Sequence, residues 1–293
     1  MGTNIDNIYF TPYRVSTITC NADMGNNLNI NLNLLFENIK IDTIDDSFIW
    51  VQQLKEGEEK IRGIYPKKKR KSKIISDKKC RFDNQITTIY KSNENYKPNI
   101  KIFKNGNIQL TGVKDLLIPK KITDSIINNI VNIYNNIDKD ILISGNISDL
   151  FYNNFKIRMI NSDFKIYVNE SMTERYNIKR KELHNILISS KYNNKCSFQP
   201  GIYQGVKLEY YWNSNNQNND GICHCNGNCF GKNSGHGESN CKKVTVAIFE
   251  SGSILITGGI TFQQVDDAYK YICNIIKENK NKLMKIVMLD IVI

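Results

Sequence analysis

The sequence lacks any run near the 18 or so consecutive apolar residues that a membrane span requires. Its opening, MGTNIDNIYF, has neither the basic nor the apolar region of a signal peptide. Together these absences predict no membrane partner and, for the eight cysteines, an intracellular setting with reduced thiols. Also missing are the phosphate-cradling G-x-x-x-x-G-K-[ST], the metalloprotease H-E-x-x-H and the nucleophile elbow G-x-S-x-G. Histidine is scarce, at three residues, and His184 in KELHNIL reads as a helix-surface residue. The adjacent pairs Asp45-Asp46 and Asp266-Asp267 point apart and read as solvated carboxylates. The expectation is therefore that the chain is not an enzyme.

Acidic residues are outnumbered. Lys+Arg total 40 against 29 Asp+Glu, a net charge of +11 that favours a polyanionic partner such as nucleic acid. The wealth of Asn, Ile and Lys, as in INNIVNIYNN (127–136), fits an AT-rich genome, and Ile and Val keep a helical beat through it.

What is present is a repeat. IFKNGNIQLTG (102–112) recurs without gaps as IFESGSILITG (248–258), pairing Ile102/Ile248, Phe103/Phe249, Gly106/Gly252, Ile108/Ile254, Thr111/Thr257 and Gly112/Gly258. An internal duplication is the economical reading. In each copy the glycine marks a tight turn between two strands. An amphipathic helix follows each Thr-Gly, carried by Ile126, Ile127, Ile130, Val131, Tyr134 and Ile137 in the first half and by Phe262, Val265, Tyr269, Ile272 and Ile276 in the second. Thr261 and Gln264 have the spacing of a capping box. Upstream, YRVSTITC (13–20) and NFKIRMI (154–160) read as opening strands, each followed by a shorter helix, at 32–39 and 179–189. Two units of strand, helix, antiparallel strands and long helix predict an α+β fold with helices on one face of the sheet.

At this level of detail the chain resembles the TATA-box-binding protein (TBP) family over roughly residues 13–280, with insertions. The residues that carry the resemblance are the two Phe-x-x-Gly turns, the strands ending in Thr-Gly, the closing helices, RVSTITC (14–20) and FKI (155–157). It implies a saddle of two pseudo-symmetric repeats, a curved antiparallel sheet with helices on its convex face. It also implies a transcription initiation factor that binds the minor groove of AT-rich promoter DNA and bends it with aromatic wedges. Its partners would be double-stranded DNA and the transcription machinery, general factors or RNA polymerase.

The resemblance assigns DNA-binding roles by position. Phe103 and Phe249 match one wedge of each pair; Phe82, preceded by Arg81, and Tyr203 in QPGIYQG match the others. The alternative is that these rings lie in a sheet core. Thr111 and Thr257 match threonines near the centre of the binding face, where a hydroxyl reaches A·T minor-groove acceptors. At the asparagines expected in the opening strands this chain has Tyr13 and, depending on a one-residue alignment choice, Arg158 or Met159. Asn107 and Ser253 follow the turn glycines where lysine is expected, Glu209 falls near an expected arginine, and the acidic stretch that docks transcription factor IIB is absent from CSFQPGIY. A protein-interaction scaffold that keeps the fold without specific DNA binding is the alternative function.

The expected layout is an N-terminal tail at 1–12, a first repeat at 13–140 with a basic insertion at 55–79, a second at 141–283 with a Cys-rich insertion at 213–241, and an extension at 284–293. PKKKRK (66–71) resembles a nuclear localisation signal, and the same charge also suits phosphate contacts. The compartment is the nucleus or, for a large DNA virus, a cytoplasmic factory. In the second insertion Cys223, Cys225, Cys229 and Cys241, with His236 as a substitute, offer a donor set for structural Zn²⁺. The alternative is a flexible loop with incidental thiols. A zinc-dependent nucleic-acid enzyme would need an acid or base beside the metal, and Glu238 is the nearby candidate.

Overall fold

The computed structural model describes residues 7–55, 58–65, 84–216, 218–227 and 229–285; Arg81, Phe82 and PKKKRK lie outside the described residues. The first strands and helices are β1 (Tyr9–Phe10), β2 (Arg14–Asp23), β3 (Asn29–Ile30), α1 (Leu32–Asn38), β4 (Ser47–Lys55), β5 (Glu58–Gly63), β6 (Gln85–Lys91), β7 (Asn99–Phe103), β8 (Asn107–Val113), α2 (Ile118–Asn136) and β9 (Leu142–Ser144). They are followed by β10 (Asn153–Tyr167), α3 (Arg180–Ile188), β11 (Lys195–Gln199), β12 (Tyr203–Trp212), β13 (Lys242–Ile248), β14 (Ser253–Gly259), α4 (Phe262–Glu278) and α5 (Lys280–Leu283). The chain divides into one compact unit at Thr17–Ile157 and another combining Met1–Ser16 with Arg158–Ile293.

In the unit Thr17–Ile157 the antiparallel strand order is β2-β8-β7-β6-β4-β5. Alternation sends Ile100, Ile102, Ile108 and Leu110 into the core beneath α2, which itself packs on β8 and α1. Each such isoleucine contributes roughly 1.5–3 kcal/mol on burial. The buried stripe of α2 is Ile118, Ile122, Ile126, Ile130 and Ile133. Ile127, Val131 and Tyr134 are only half-buried and Ile137 is 54% exposed, so the expected stripe is rotated towards the residues spaced by four. The region expected to begin a basic insertion at residue 55 instead folds back as the edge strand β5, paired with β4 from Lys55↔Glu58 to Trp50↔Gly63.

The other unit has the order β11-β12-β13-β14-β10, with β1 added to β10 through Phe10↔Ile166. Val206, Leu208, Val244, Val246, Ile254 and Ile256 point to the helix side, where α4 packs on β12–β14 and α3 on β11 and β12. The capping box forms: Thr261 Oγ1 accepts from Gln264 N at 3.2 Å, and Gln264 Oε1 accepts from Thr261 N at 3.4 Å.

The repeated motif has a backbone cause. Gly106 (φ 81°) and Gly252 (φ 72°) turn the two hairpins, donating to the carbonyls of Phe103 and Phe249 at 3.0 and 3.1 Å. In each Thr-Gly, glycine is the extra residue of a β-bulge: register passes from Ile18↔Val113 to Cys20↔Leu110 around Gly112, and from Ile160↔Gly259 to Asn161↔Thr257 around Gly258. Both bulge glycines have positive φ, 82° and 95°, which disfavours any other residue.

Candidate nucleic-acid interface

Strand alternation leaves a second sheet face in each unit, opposite the helices. In the unit Thr17–Ile157 it carries a polar row in register, Asn21–Gln109–Lys101–Thr87–Gln52, crossing β2, β8, β7, β6 and β4. One step along, Thr111 lies beside Asn99 and donates to its carbonyl oxygen at 3.4 Å. Phe103 closes β7 at the turn, half-buried and opposite Gln85.

The other unit repeats this arrangement. Its row is Asn161–Thr257–Thr245–Glu209–Lys195, across β10, β14, β13, β12 and β11. At the turn end Tyr203 and Phe249 meet with ring centroids 5.7 Å apart. Gly205 makes room for them, because a Cβ there would lie 2.8 Å from Tyr203 Cε1 and 3.3 Å from Phe249 Cε1. Lys207 Nζ sits over the Tyr203 ring, 4.0 Å from its centroid, a cation–π contact that places positive charge beside the ring pair. A half-buried ring pair at a hairpin end offers an apolar wedge, and the adjoining hydroxyls and amides offer donors.

The expected site residues thus fall into three groups. Tyr203 and Phe249 come together, and Phe103 occupies the equivalent hairpin position in its own unit. Thr111 and Thr257 hold equivalent places beside the bulges. Tyr13 goes elsewhere: its ring packs on Tyr269 of α4 at 5.5 Å, on the helix side, and burial raises its pKa. Of the two alignment choices, Met159 alternates in step with Asn161 and Asp163, whereas Arg158 is exposed in step with the inward-facing Ile160. Asn161, Gln109, Asn21 and Lys101 were not singled out in the sequence, because only strand register puts them in line with the threonines. Asn161 Oδ1 is buried without a hydrogen-bond partner among the described residues.

The charges on these faces are mixed. Glu209 is held by Lys243 at 3.0 Å, Lys195 at 3.2 Å and the Tyr211 hydroxyl at 3.0 Å. Burial alone would raise its pKa, but the bonds from Lys243, Tyr211 and Lys195 outweigh this and keep its carboxyl below the usual range. Asp163 is likewise neutralised by Arg14, at 2.9 Å.

At the opposite end of the β12–β13 hairpin, the long connection brings the sulfurs of Cys223, Cys225, Cys229 and Cys241 within 4.8 Å of one another. The histidines are engaged otherwise: His224 Nε2 lies 2.8 Å from Asp220 Oδ2, and His236 meets Trp212 edge-on at 5.3 Å.

No protein-family model matches the chain. A curated protein named TATA-box-binding protein-like, from Acanthamoeba polyphaga mimivirus, is 29% identical over 219 residues, covering 69% of this chain and 50% of that protein. The chain therefore spans about half the length of the curated relative it matches. Methanococcus jannaschii TBP aligns with 92% of this chain and 99% of its own at 13% identity, with a TM-score of 0.45. Helix-backed antiparallel sheets that each carry the Phe-x-x-Gly hairpin and the Thr-Gly bulge define an α+β fold of two repeats. In sequence the chain is similar to the TATA-box-binding protein-like protein of mimivirus.

Proposed function

We propose that the protein is a DNA-binding transcription factor that enters the minor groove of AT-rich promoter DNA, bends it with aromatic wedges and positions a transcription machinery there. The observation that carries this reading is the Tyr203–Phe249 pair over Gly205, with Phe103 at the equivalent hairpin. Inserting such rings between base pairs costs a few kcal/mol per unstacked step, offset by contact with a widened, bent groove. Thr257, Thr245 and Asn161, and in the other unit Gln109 and Thr87, supply donors for the N3 and O2 acceptors of A·T pairs. The net charge of +11 supplies the sequence-independent attraction to phosphates.

A second reading, a scaffold that binds proteins, is favoured by Glu209 and Asp163, carboxylates that lie on the same face and occupy nearby cations. The two readings separate in titrations of AT-rich and GC-rich duplexes between about 50 and 200 mM salt. A DNA factor prefers AT-rich duplexes at every salt concentration. Equal, weak binding that vanishes with salt would leave the scaffold.

A further inference from the structure

We propose that Cys223, Cys225, Cys229 and Cys241 form a closed, structural Zn²⁺ site that staples the β12–β13 connection to the end of its own sheet. The inference is independent of DNA binding.

The connection from Asn213 to Cys241 is rich in Asn, Gly and Ser and holds few apolar side chains, so it has no hydrophobic core of its own to offset its ordering. Yet its described residues are tied to their surroundings by hydrogen bonds. Ser214 N donates to Gly235 O at 2.8 Å, Lys243 N to Gly231 O at 2.7 Å, and Asn213 Nδ2 to Gly237 O at 3.0 Å. Gln264, the buried capping residue of α4, donates its Nε2 to Ser234 O at 2.8 Å. Within this connection stand the four cysteines.

Their geometry suits the metal. A tetrahedral zinc with Zn–S of about 2.3 Å sets its sulfurs about 3.8 Å apart. Here Cys223 and Cys241 are separated by 3.8 Å and Cys225 and Cys241 by 3.3 Å, with every pair within 4.8 Å. All four are free thiols and no disulfide joins them. Four sulfur ligands, with both nearby histidines held by other groups, leave no open coordination position, so the site is structural. Binding exchanges protons for metal: Zn²⁺ and four thiols give a zinc tetrathiolate of charge −2 and release four protons.

The test uses the full chain, purified under reducing conditions. Elemental analysis should find one zinc per chain. Titration of the metal-free chain with Co²⁺ should give the thiolate charge-transfer and intense visible bands of a tetrahedral site, displaced by one equivalent of Zn²⁺. In Cys229→Ser these bands should fall at least tenfold, whereas Cys196→Ser, outside the cluster, should keep them. Hydrogen exchange on the wild type should show that chelation deprotects amides of 229–243 while the strand amides of β13 and β14 stay protected. Absence of metal, an intact mass lower by the two or four hydrogens of disulfides, or iron in place of zinc would overturn the assignment. The staple lies about 30 Å along β12 from Tyr203, so DNA binding measured in parallel stands or falls separately.

Discussion

The two turn glycines occupy equivalent places in the repeat, yet replacing them should not cost the same. Gly252 and Gly106 have φ of 72° and 81°, so alanine at either site pays roughly 1–2 kcal/mol for the left-handed backbone. Their neighbours differ. At Gly252 the new methyl would lie 2.3 Å from the carbonyl oxygen of Tyr176 and 3.2 Å from that of Ile166. That backbone is itself fixed, since Tyr176 N donates to Ile166 O at 3.0 Å and the Tyr176 side chain is fully buried. At Gly106 the nearest atom, at 2.9 Å, is Cδ1 of Leu28, the end of a side chain that can turn away. Overpacking adds roughly 1–3 kcal/mol where nothing yields. Gly252→Ala should therefore cost about 2–5 kcal/mol and Gly106→Ala about 1–2 kcal/mol. The chain has two tryptophans, one in each unit: Trp50 at 4% exposure and Trp212 at 6%. Fluorescence of the Trp212→Phe and Trp50→Phe backgrounds follows each unit during urea unfolding. With a slope near 2 kcal/mol per molar urea, Gly252→Ala should lower the Trp212 midpoint by about 1–2.5 M, and Gly106→Ala should lower the Trp50 midpoint by about 0.5–1 M. Equal shifts, or a larger one for Gly106→Ala, would refute the reasoning.

Other outcomes follow from the same contacts. Thr261→Ala removes half of the capping box of α4 and should cost about 1 kcal/mol in the Trp212-reported transition; no change would show that Gln264 suffices alone. Cys20, Cys196 and Cys273 have pKa values pushed up to about 12 by burial, from an ordinary 9.0. Above pH 9 the unfolded chain loses these protons first, so stability should fall with pH up to about 12, by about 1.4 kcal/mol per pH unit per thiol. Iodoacetamide at pH 8 should leave all three unmodified in the native protein, as read by peptide mass; rapid labelling would show that they are accessible. Glu209 has a depressed pKa, so its contribution to stability is present above the ordinary glutamate range and lost as pH falls through its lower folded value. Glu209→Gln should flatten that acid limb by about 1 kcal/mol and, by freeing Lys195 and Lys243 on the same face, tighten DNA binding a few-fold at low salt.

The parts of the fold that rest on local backbone chemistry were readable in the sequence. Asn-Gly and Ser-Gly turns, the Thr-Gly pairs and the Thr261/Gln264 cap each impose their geometry within a few residues, so they appear where the repeat predicts. The stripe of α2 was harder, because a helix with isoleucine on several sides gives periodicity little to choose between, and packing on β8 and α1 decides it. Strand β5 was hidden because EEKIRG is polar on both faces, as a solvent-exposed edge strand permits. Of the candidate site, Tyr203 and Phe249 were legible through the resemblance, while the polar rows through Asn161 and Gln109 depend on register across five strands. Tyr13 went astray because it precedes β2, which begins at Arg14, and outside the strand its ring is free of the alternation and packs on Tyr269 of α4. The cysteines lie at spacings of one, three and eleven intervening residues, outside the usual paired pattern, and only the folded path of the connection brings them together.

The most direct test of the central claim is the end-to-end distance of an AT-rich duplex with a fluorophore on each end, measured by energy transfer with saturating protein. Wild type should shorten that distance. Phe103→Ala combined with Phe249→Ala should restore the straight-duplex value while leaving the low-salt affinity within about tenfold, since phosphate attraction survives the loss of the rings. Binding by wild type without any shortening, or shortening that the double substitution leaves intact, would contradict the account.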